Sequence, residues 1–163
     1  MQAQLERRSG EAVYPDANFS MRLTYGSVKG YSPRDAVYYS WYTTLTGVME
    51  KEDPDNYEFI VPEALKQLYR NKDFGIYEKD GNVPVAFITN NDITGGNSGS
   101  PVLNAEGHLI GLAFCGSWES LSGDVIFIES RNRAINADMR YVLFVTDKLG
   151  QSKHILNELD IIR

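Results

Sequence analysis

The chain has a single cysteine, Cys115, among 163 residues. That scarcity excludes an internal disulfide framework but leaves the compartment open, because many exported proteins also lack bridges. Clustered positive charge is missing as well: 16 Lys and Arg stand against 22 Asp and Glu, for a formal charge of -6. The densest basic runs, ERR near the start and RNR at 131–133, are short. Nucleic-acid binding draws on grouped cations that displace counterions from phosphates, so nucleic acid is not an expected partner. No apolar run approaches the ~20 residues that span a bilayer. The opening MQAQLERRSGEAVYPDANFS also has no apolar core of the signal-peptide kind. Neither a membrane span nor an export address is expected in the chain as written. The acid-rich MEKEDPDNYE lacks the alternating Asp/Asn pattern of a calcium loop. With no metal or nucleotide motif elsewhere, no cofactor is expected.

What is present is the composition of a folded domain. Apolar residues make up 42% of the chain and aromatics 12%, enough for one core, and the length suits a single domain over 1–163. Residues 1–20 are polar and without period, so a loosely held lead-in is expected there. From Met21, MRLTYGSVKGY alternates Met21, Leu23 and Tyr25 against Arg22 and Thr24, the pattern of a half-buried strand. The aromatic-rich stretch that follows is broken by Pro and Asp and predicts a connection without a long helix. Its VYYSWY group at 37–42, like Trp118, is expected in the core, with a face toward a partner as the alternative. Pro62 and the spacing of Ala64, Leu65, Leu68 and Tyr69 predict an amphipathic helix near 62–70. Beyond it the pattern is β, with strands expected at 83–90, 101–104, 109–114, 124–128 and 139–145. Ile155, Leu156, Leu159 and Ile162 predict a C-terminal amphipathic helix over 151–161. The fold class is therefore mainly β and antiparallel.

The stretch DITGGNSGSPVLNAEGHLIGLAFCG, Asp92 to Gly116, carries the chemistry. A serine hydroxyl is a weak nucleophile until a base takes its proton and backbone amides receive the oxyanion formed on the substrate. Glycine serves both needs. Gly96 can turn the chain so that its own N–H and that of Ser98 converge on one spot, and Gly99 leaves a scissile carbonyl room to approach. The same residues would suit an ordinary turn between strands. The full order of buried strand, Gly-Gly turn, Ser, Gly, Pro and returning hairpin favours a nucleophile loop. No base is evident: His108 falls at a hairpin tip and His154 in the terminal helix, and neither position predicts reach to Ser98.

TGGNSGSPVLNAEGHLIGLAF resembles the nucleophile loop of chymotrypsin-fold serine peptidases. More narrowly, five stretches resemble, in order, the C-terminal part of the S46 dipeptidyl peptidases of bacteria: YPDANFSMRLTYGSVKGYSPRD, TTLTGVMEK, FITNNDITGGNSGSPVLNAEG, GLAFCGSWESLSGD and DMRYVLFVTDK. The resemblance implies a trypsin-like antiparallel β-barrel, the second of two. It makes Ser98 the catalytic nucleophile and the N–H groups of Gly96 and Ser98 the oxyanion hole. It also implies a longer, periplasmic, homodimeric protein that releases N-terminal dipeptides from peptide substrates. The His and Asp of its triad would lie in a missing N-terminal part, so this chain alone is expected to be inactive.

The resemblance extends to the cleft wall. Family members that prefer acidic side chains at P1 carry Arg where this chain has Gly116, and those that prefer apolar ones carry Gly, so an apolar or aromatic P1 is implied. Where this chain has Cys115, the family usually has an Asp that holds the free amine of the substrate. A neutral thiol cannot supply that charge-assisted bond, which leaves Asp124 or a residue of the missing part to do so. Gly116 as a plain turn residue and Cys115 as a packed side chain are the alternatives. A different class also stays open: a peptide-binding or interaction module on the same barrel, without catalysis, which the missing base and the unusual Cys115 would suit.

Overall fold

The computed structural model describes residue 19 and residues 21–121 and 127–162. Two short strands, β1 (Tyr31–Arg34) and β2 (Val37–Tyr39), form an antiparallel hairpin. They are followed by β3 (Tyr42–Thr44), α1 (Leu45–Glu50), α2 (Glu63–Arg70), β4 (Pro84–Thr89), β5 (Pro101–Leu103), β6 (Leu109–Gly116), β7 (Ala134–Asp138), α3 (Met139–Phe144) and α4 (Lys153–Leu156). Strands β3 to β7 make one antiparallel sheet in the order β3-β4-β7-β6-β5. The antiparallel β architecture expected from the sequence is therefore present. Among the described residues no ladder joins β3 to β5, and the sheet is open.

The core gathers residues that are far apart in sequence. Leu45, Val61, Leu65, Phe74, Tyr77, Val83 and Phe144 are buried together. The rings of Phe74 and Tyr77 meet that of Phe144 edge-on, at centroid distances of 6.5 and 6.1 Å, the arrangement in which a positive ring edge faces a negative ring face. Helix α2 follows its expected span. Leu65 is buried, and Leu68 and Tyr69 pack against the core, whereas Ala64, expected on the same face, is exposed.

Several expectations are corrected. Residues 139–145 were expected to be a strand; they form α3 and enter a π-helical turn at Val145–Leu149. The cause is local capping: the Asp138 carboxylate accepts the backbone N–H of Arg140 at 2.9 Å, which fixes a helix start that β-branched and aromatic content alone would not reveal. Tyr141, Phe144 and Val145 then share one helical face against the core. The strand that the sequence analysis missed is β7, whose AINAD reads as polar. Ala134, Asn136 and Asp138 are its buried side, and Asn136 is accommodated there by donating to Thr89 Oγ1 at 3.1 Å.

At Met21 no strand forms. Met21, Leu23 and Tyr25 are exposed, and the stretch meets the sheet further on, through the Val28–Thr89 bridge and the bond from Lys29 N–H to Ile88 O at 3.2 Å. Of the strand expected at 124–128, residues 124–126 lie outside the described residues, and Phe127 and Ile128 are not in a strand. The C-terminal helix is reduced to the four residues of α4, with Ile155, Leu159 and Ile162 exposed. Its Ser152 makes no side-chain cap, and a helix that short gains little without a surface to pack on. Trp118, Tyr38 and Tyr39 are likewise exposed rather than in the core. The aromatic connection, expected to hold no long helix, contains β1, β2, β3 and the six-residue α1.

Candidate active site

Ser98 sits in the turn between β4 and β5, and the residues around it have the conformations that glycine permits. Gly96 has φ of 92° and Gly99 of 85°, both in the region closed to most side chains. The turn is laced to the sheet. The N–H of Gly99 donates to Ala113 O at 2.7 Å, that of Ala113 to Ser100 O at 2.9 Å, and that of Ser100 to Asn97 O at 2.9 Å. Asn97 N–H donates to Thr94 O at 3.2 Å. Among the described residues, the N–H groups of Gly96 and Ser98 make no such bond. Alternate amides are thus engaged, and the two between them remain available to a ligand, the distribution an oxyanion-binding turn needs.

The Ser98 hydroxyl donates to Phe114 O at 3.1 Å, and the strand explains why that carbonyl is available. Strand β6 pairs with β7 through Ala113–Asn136 and Cys115–Ile135, with a register shift between them. Phe114 is therefore the extra residue of a β-bulge, which takes it out of the ladder.

A cleft of about 250 Å³ opens beside Ser98. Gly95 and Gly96, Phe114 to Ser117, Leu121, Phe127 and Arg133 contribute to its lining. Gly116 and Cys115 line the same cleft as Ser98. Cys115 is exposed in this chain. Asp124 lies outside the described residues. Neither histidine lines this cleft. His108 takes a backbone bond from its N–H to Asn104 Oδ1 at 2.8 Å and lines a separate groove of about 820 Å³ with Trp41, Asp138 and Arg140. His154 is exposed on α4.

Sequence reasoning missed the framework behind the cleft wall. The short turn Trp118–Ser120 follows Gly116. Ser120 Oγ accepts Arg133 N–H at 2.7 Å, and Ser117 N–H donates to Arg133 O at 2.8 Å. Arg133 is 3% exposed. Its Nε, Nη1 and Nη2 donate to the carbonyls of Lys29, Glu129, Asn132 and Gly30 at 2.7 to 3.1 Å, and its guanidinium lies 5.1 Å from the centre of the Tyr31 ring. Burial lowers its pKa from the ordinary arginine value, though not enough to matter for a group that stays protonated in proteins. Nothing local in RNRAINAD gives the partners of this residue.

A glycine-turned serine with two amides unengaged among the described residues, on an antiparallel sheet and beside a cleft, has the geometry that a serine-hydrolase nucleophile loop requires. The family model for peptidase S46 matches residues 1–161. The chain belongs to the peptidase S46 family. It is 60% identical over 158 residues to dipeptidyl-peptidase 7 of Phocaeicola vulgatus, covering 96% of this chain and 22% of that protein. To the Asp/Glu-specific dipeptidyl-peptidase of Porphyromonas gingivalis it is 54% identical over 159 residues, covering 97% of this chain and 22% of that one. The crystal structure of Porphyromonas endodontalis DPP11 in complex with the dipeptide Arg-Glu superposes with a TM-score of 0.87 at 46% identity, over 96% of this chain and 23% of that one. The chain thus spans about a fifth of the length of the relatives it matches.

Proposed function

We propose that this chain is the nucleophile-bearing part of a serine-type dipeptidyl peptidase that removes N-terminal dipeptides, with an apolar or aromatic residue at P1. Ser98 is the nucleophile, and the N–H groups of Gly96 and Ser98 receive the oxyanion. The general base and its orienting carboxylate come from the part of the protein outside this chain. A homodimer and a periplasmic address complete the proposal by family likeness.

In the reaction, the base takes the Ser98 proton, which the hydroxyl now directs at Phe114 O, and Oγ attacks the carbonyl after the second substrate residue. The oxyanion of the tetrahedral intermediate lies against the two amides. Collapse breaks the C–N bond, and the departing amine takes the proton from the base. Water, deprotonated by the same base, then releases the dipeptide acid and returns the proton to Ser98.

The observation that carries this proposal is the pair of unengaged amides flanking Asn97 beside Ser98. Support for an apolar P1 comes from the cleft wall: Gly116 adds no charge, Phe114, Leu121 and Phe127 add apolar surface, and Arg133 already donates from all three of its nitrogens to carbonyls. Relatives of both printed names resemble this chain closely, so overall similarity does not choose between P1 classes and the wall must. For the amine end, Asp124 or a residue outside this chain replaces the carboxylate that Cys115 lacks.

The second reading, a peptide-binding module without catalysis, is favoured by the absence of either histidine from the lining of the cleft. A fluorophosphonate probe separates the two. A full-length protein containing this segment is expected to be labelled at Ser98 and to lose labelling in Ser98→Ala, while the isolated chain stays unlabelled. A full-length protein that binds peptides but resists the probe would favour the module.

A further inference from the structure

The turn that carries the oxyanion amides contains Gly95 and Gly96 in succession, the residue type with the greatest backbone freedom. Something must hold it. Two bonds close the turn across its ends, Asn97 N–H to Thr94 O at 3.2 Å and Thr94 N–H to Asn97 Oδ1 at 3.0 Å. A third element comes from far away in sequence: Arg22 Nη2 donates to Thr94 Oγ1 at 2.8 Å and to Asn97 Oδ1 at 2.6 Å. One guanidinium nitrogen thus bridges the residue before the glycine pair and the residue after it.

We propose that Arg22 is a positioning residue for the reaction, a strut that fixes the peptide planes of Gly95 and Gly96 so that the Gly96 N–H meets the oxyanion. The proposal rests on the assignment of Ser98 and Gly96 given above. The planar fork of Arg suits the task, because its donor directions are fixed relative to one another and a two-point contact defines an orientation. A lysine ammonium offers donors without that plane. The strut also gives residues 21–25, which form no ladder, a contact with the Ser98 turn, and Arg22 is less exposed than its neighbours. Their backbone is held by a side chain rather than by a sheet.

Arg22 touches no reacting atom, so its effect should fall on the transition state alone. The oxyanion exists only there, and a misplaced amide lowers kcat and kcat/KM together while KM stays. In the full-length protein, Arg22→Ala is expected to lower kcat by about 10- to 100-fold, in keeping with misplacement of a catalytic donor, with KM within about threefold. Thr94→Val keeps the fold of the turn but removes one acceptor, and is expected to cost less. Arg22→Lys should recover part of the loss. A peptidyl boronic acid, which forms a tetrahedral adduct on serine, should lose affinity in step with kcat, whereas the dipeptide product should not.

The proposal is overturned if Arg22→Ala and Thr94→Val both keep kcat within twofold, or if the loss appears in KM alone. Should Arg22→Ala fail to fold, Thr94→Val decides on the same readouts. Ser98→Ala is run alongside: if it retains turnover, the assignment of the site falls and the strut with it, an outcome that does not involve Arg22.

Discussion

The Tyr31 hydroxyl donates to Glu119 Oε2 at 2.5 Å, across 88 residues of sequence. The bond ties the β1–β2 hairpin to the turn that follows Gly116, and so to the wall of the Ser98 cleft. Burial first, then the hydrogen bond to the Glu119 carboxylate, raises the Tyr31 pKa from 10.0 to about 12. Tyr77, buried and beside Asp147, and Tyr141, partly buried, are shifted in the same direction by loss of solvent. Below pH 10 these phenols are protonated in the folded and unfolded chain alike. Between pH 10 and about 12 the unfolded chain ionises first, so stability falls as pH rises. Thermal unfolding is expected to show a flat Tm up to pH 10 and a decline above it. Tyr31→Phe should make that decline shallower without abolishing it, since Tyr77 and Tyr141 remain.

Asp138 links two elements that the sequence analysis misread. It is 3% exposed, ends β7, caps α3, and takes Arg140 Nε at 2.9 Å and Nη2 at 2.6 Å. Asp138→Ala is expected to cost about 2 kcal/mol in urea unfolding, the upper range for loss of a helix cap. Asp138→Asn, which keeps an acceptor for Arg140 N–H, should cost less. Equal losses in the two would mean that the ion pair, not the cap, holds the helix start.

Gly99 and Gly107 make a matched pair. Both have positive φ, 85° and 84°, and an added Cβ at either meets nothing within 4 Å. Only the backbone conformation resists substitution, at about 1–2 kcal/mol. Gly99→Ala and Gly107→Ala should therefore lower stability equally. Turnover in the full-length protein should fall only for Gly99→Ala, because Gly107 belongs to the β5–β6 turn. Equal turnover in both variants would count against the Ser98 loop as the reacting site.

At the cleft wall, Gly116→Arg should shift the preference of the full-length protein toward Asp or Glu at P1, by giving a desolvated carboxylate a partner. The new Cβ would lie 3.3 Å from Ser120 Cβ, so the wall must yield by a few tenths of an ångström, and a drop in Tm is expected alongside. Cys115→Asp should raise kcat/KM for peptides with a free amine over acetylated ones. Comparing free, blocked, apolar and acidic substrates on both variants tests the two expectations together. An unchanged free-to-blocked ratio would remove Cys115 from the amine end, and an unchanged acid-to-apolar ratio would remove Gly116 from the P1 wall.

The parts of this protein legible in its sequence are those whose causes are local. Gly96 and Gly99 announce a turn around Ser98 because their positive φ suits glycine, and Leu65, Leu68 and Tyr69 announce a helix by spacing. The same logic failed where a side chain distant in sequence decides the outcome. AINAD is a strand because β4 and β6 flank it and Thr89 accepts from Asn136. MRYVLFV is a separate case, since the cause of its helix is the adjacent Asp138 cap, which its β-branched and aromatic content masked. Met21, Leu23 and Tyr25 alternate like a strand, yet no sheet edge takes them. Arg22 and Arg133 stood out in no pattern, since the value of each lies in backbone or side-chain oxygens contributed from elsewhere in the chain.

The bulge at Phe114 has a consequence for how this cleft can change over time. Along β6 the buried positions Gly111 and Ala113 predict that residue 115 faces inward, but the additional residue shifts the phase, and Phe114 and Cys115 are exposed in succession before Ser117 is buried again. The wall is thereby uncoupled from the hydrophobic interior. Replacements at 114 and 115 can alter which peptides fit while the packing beneath is left alone, whereas a single-residue deletion there would return the strand to step and turn the wall's side chains into the core.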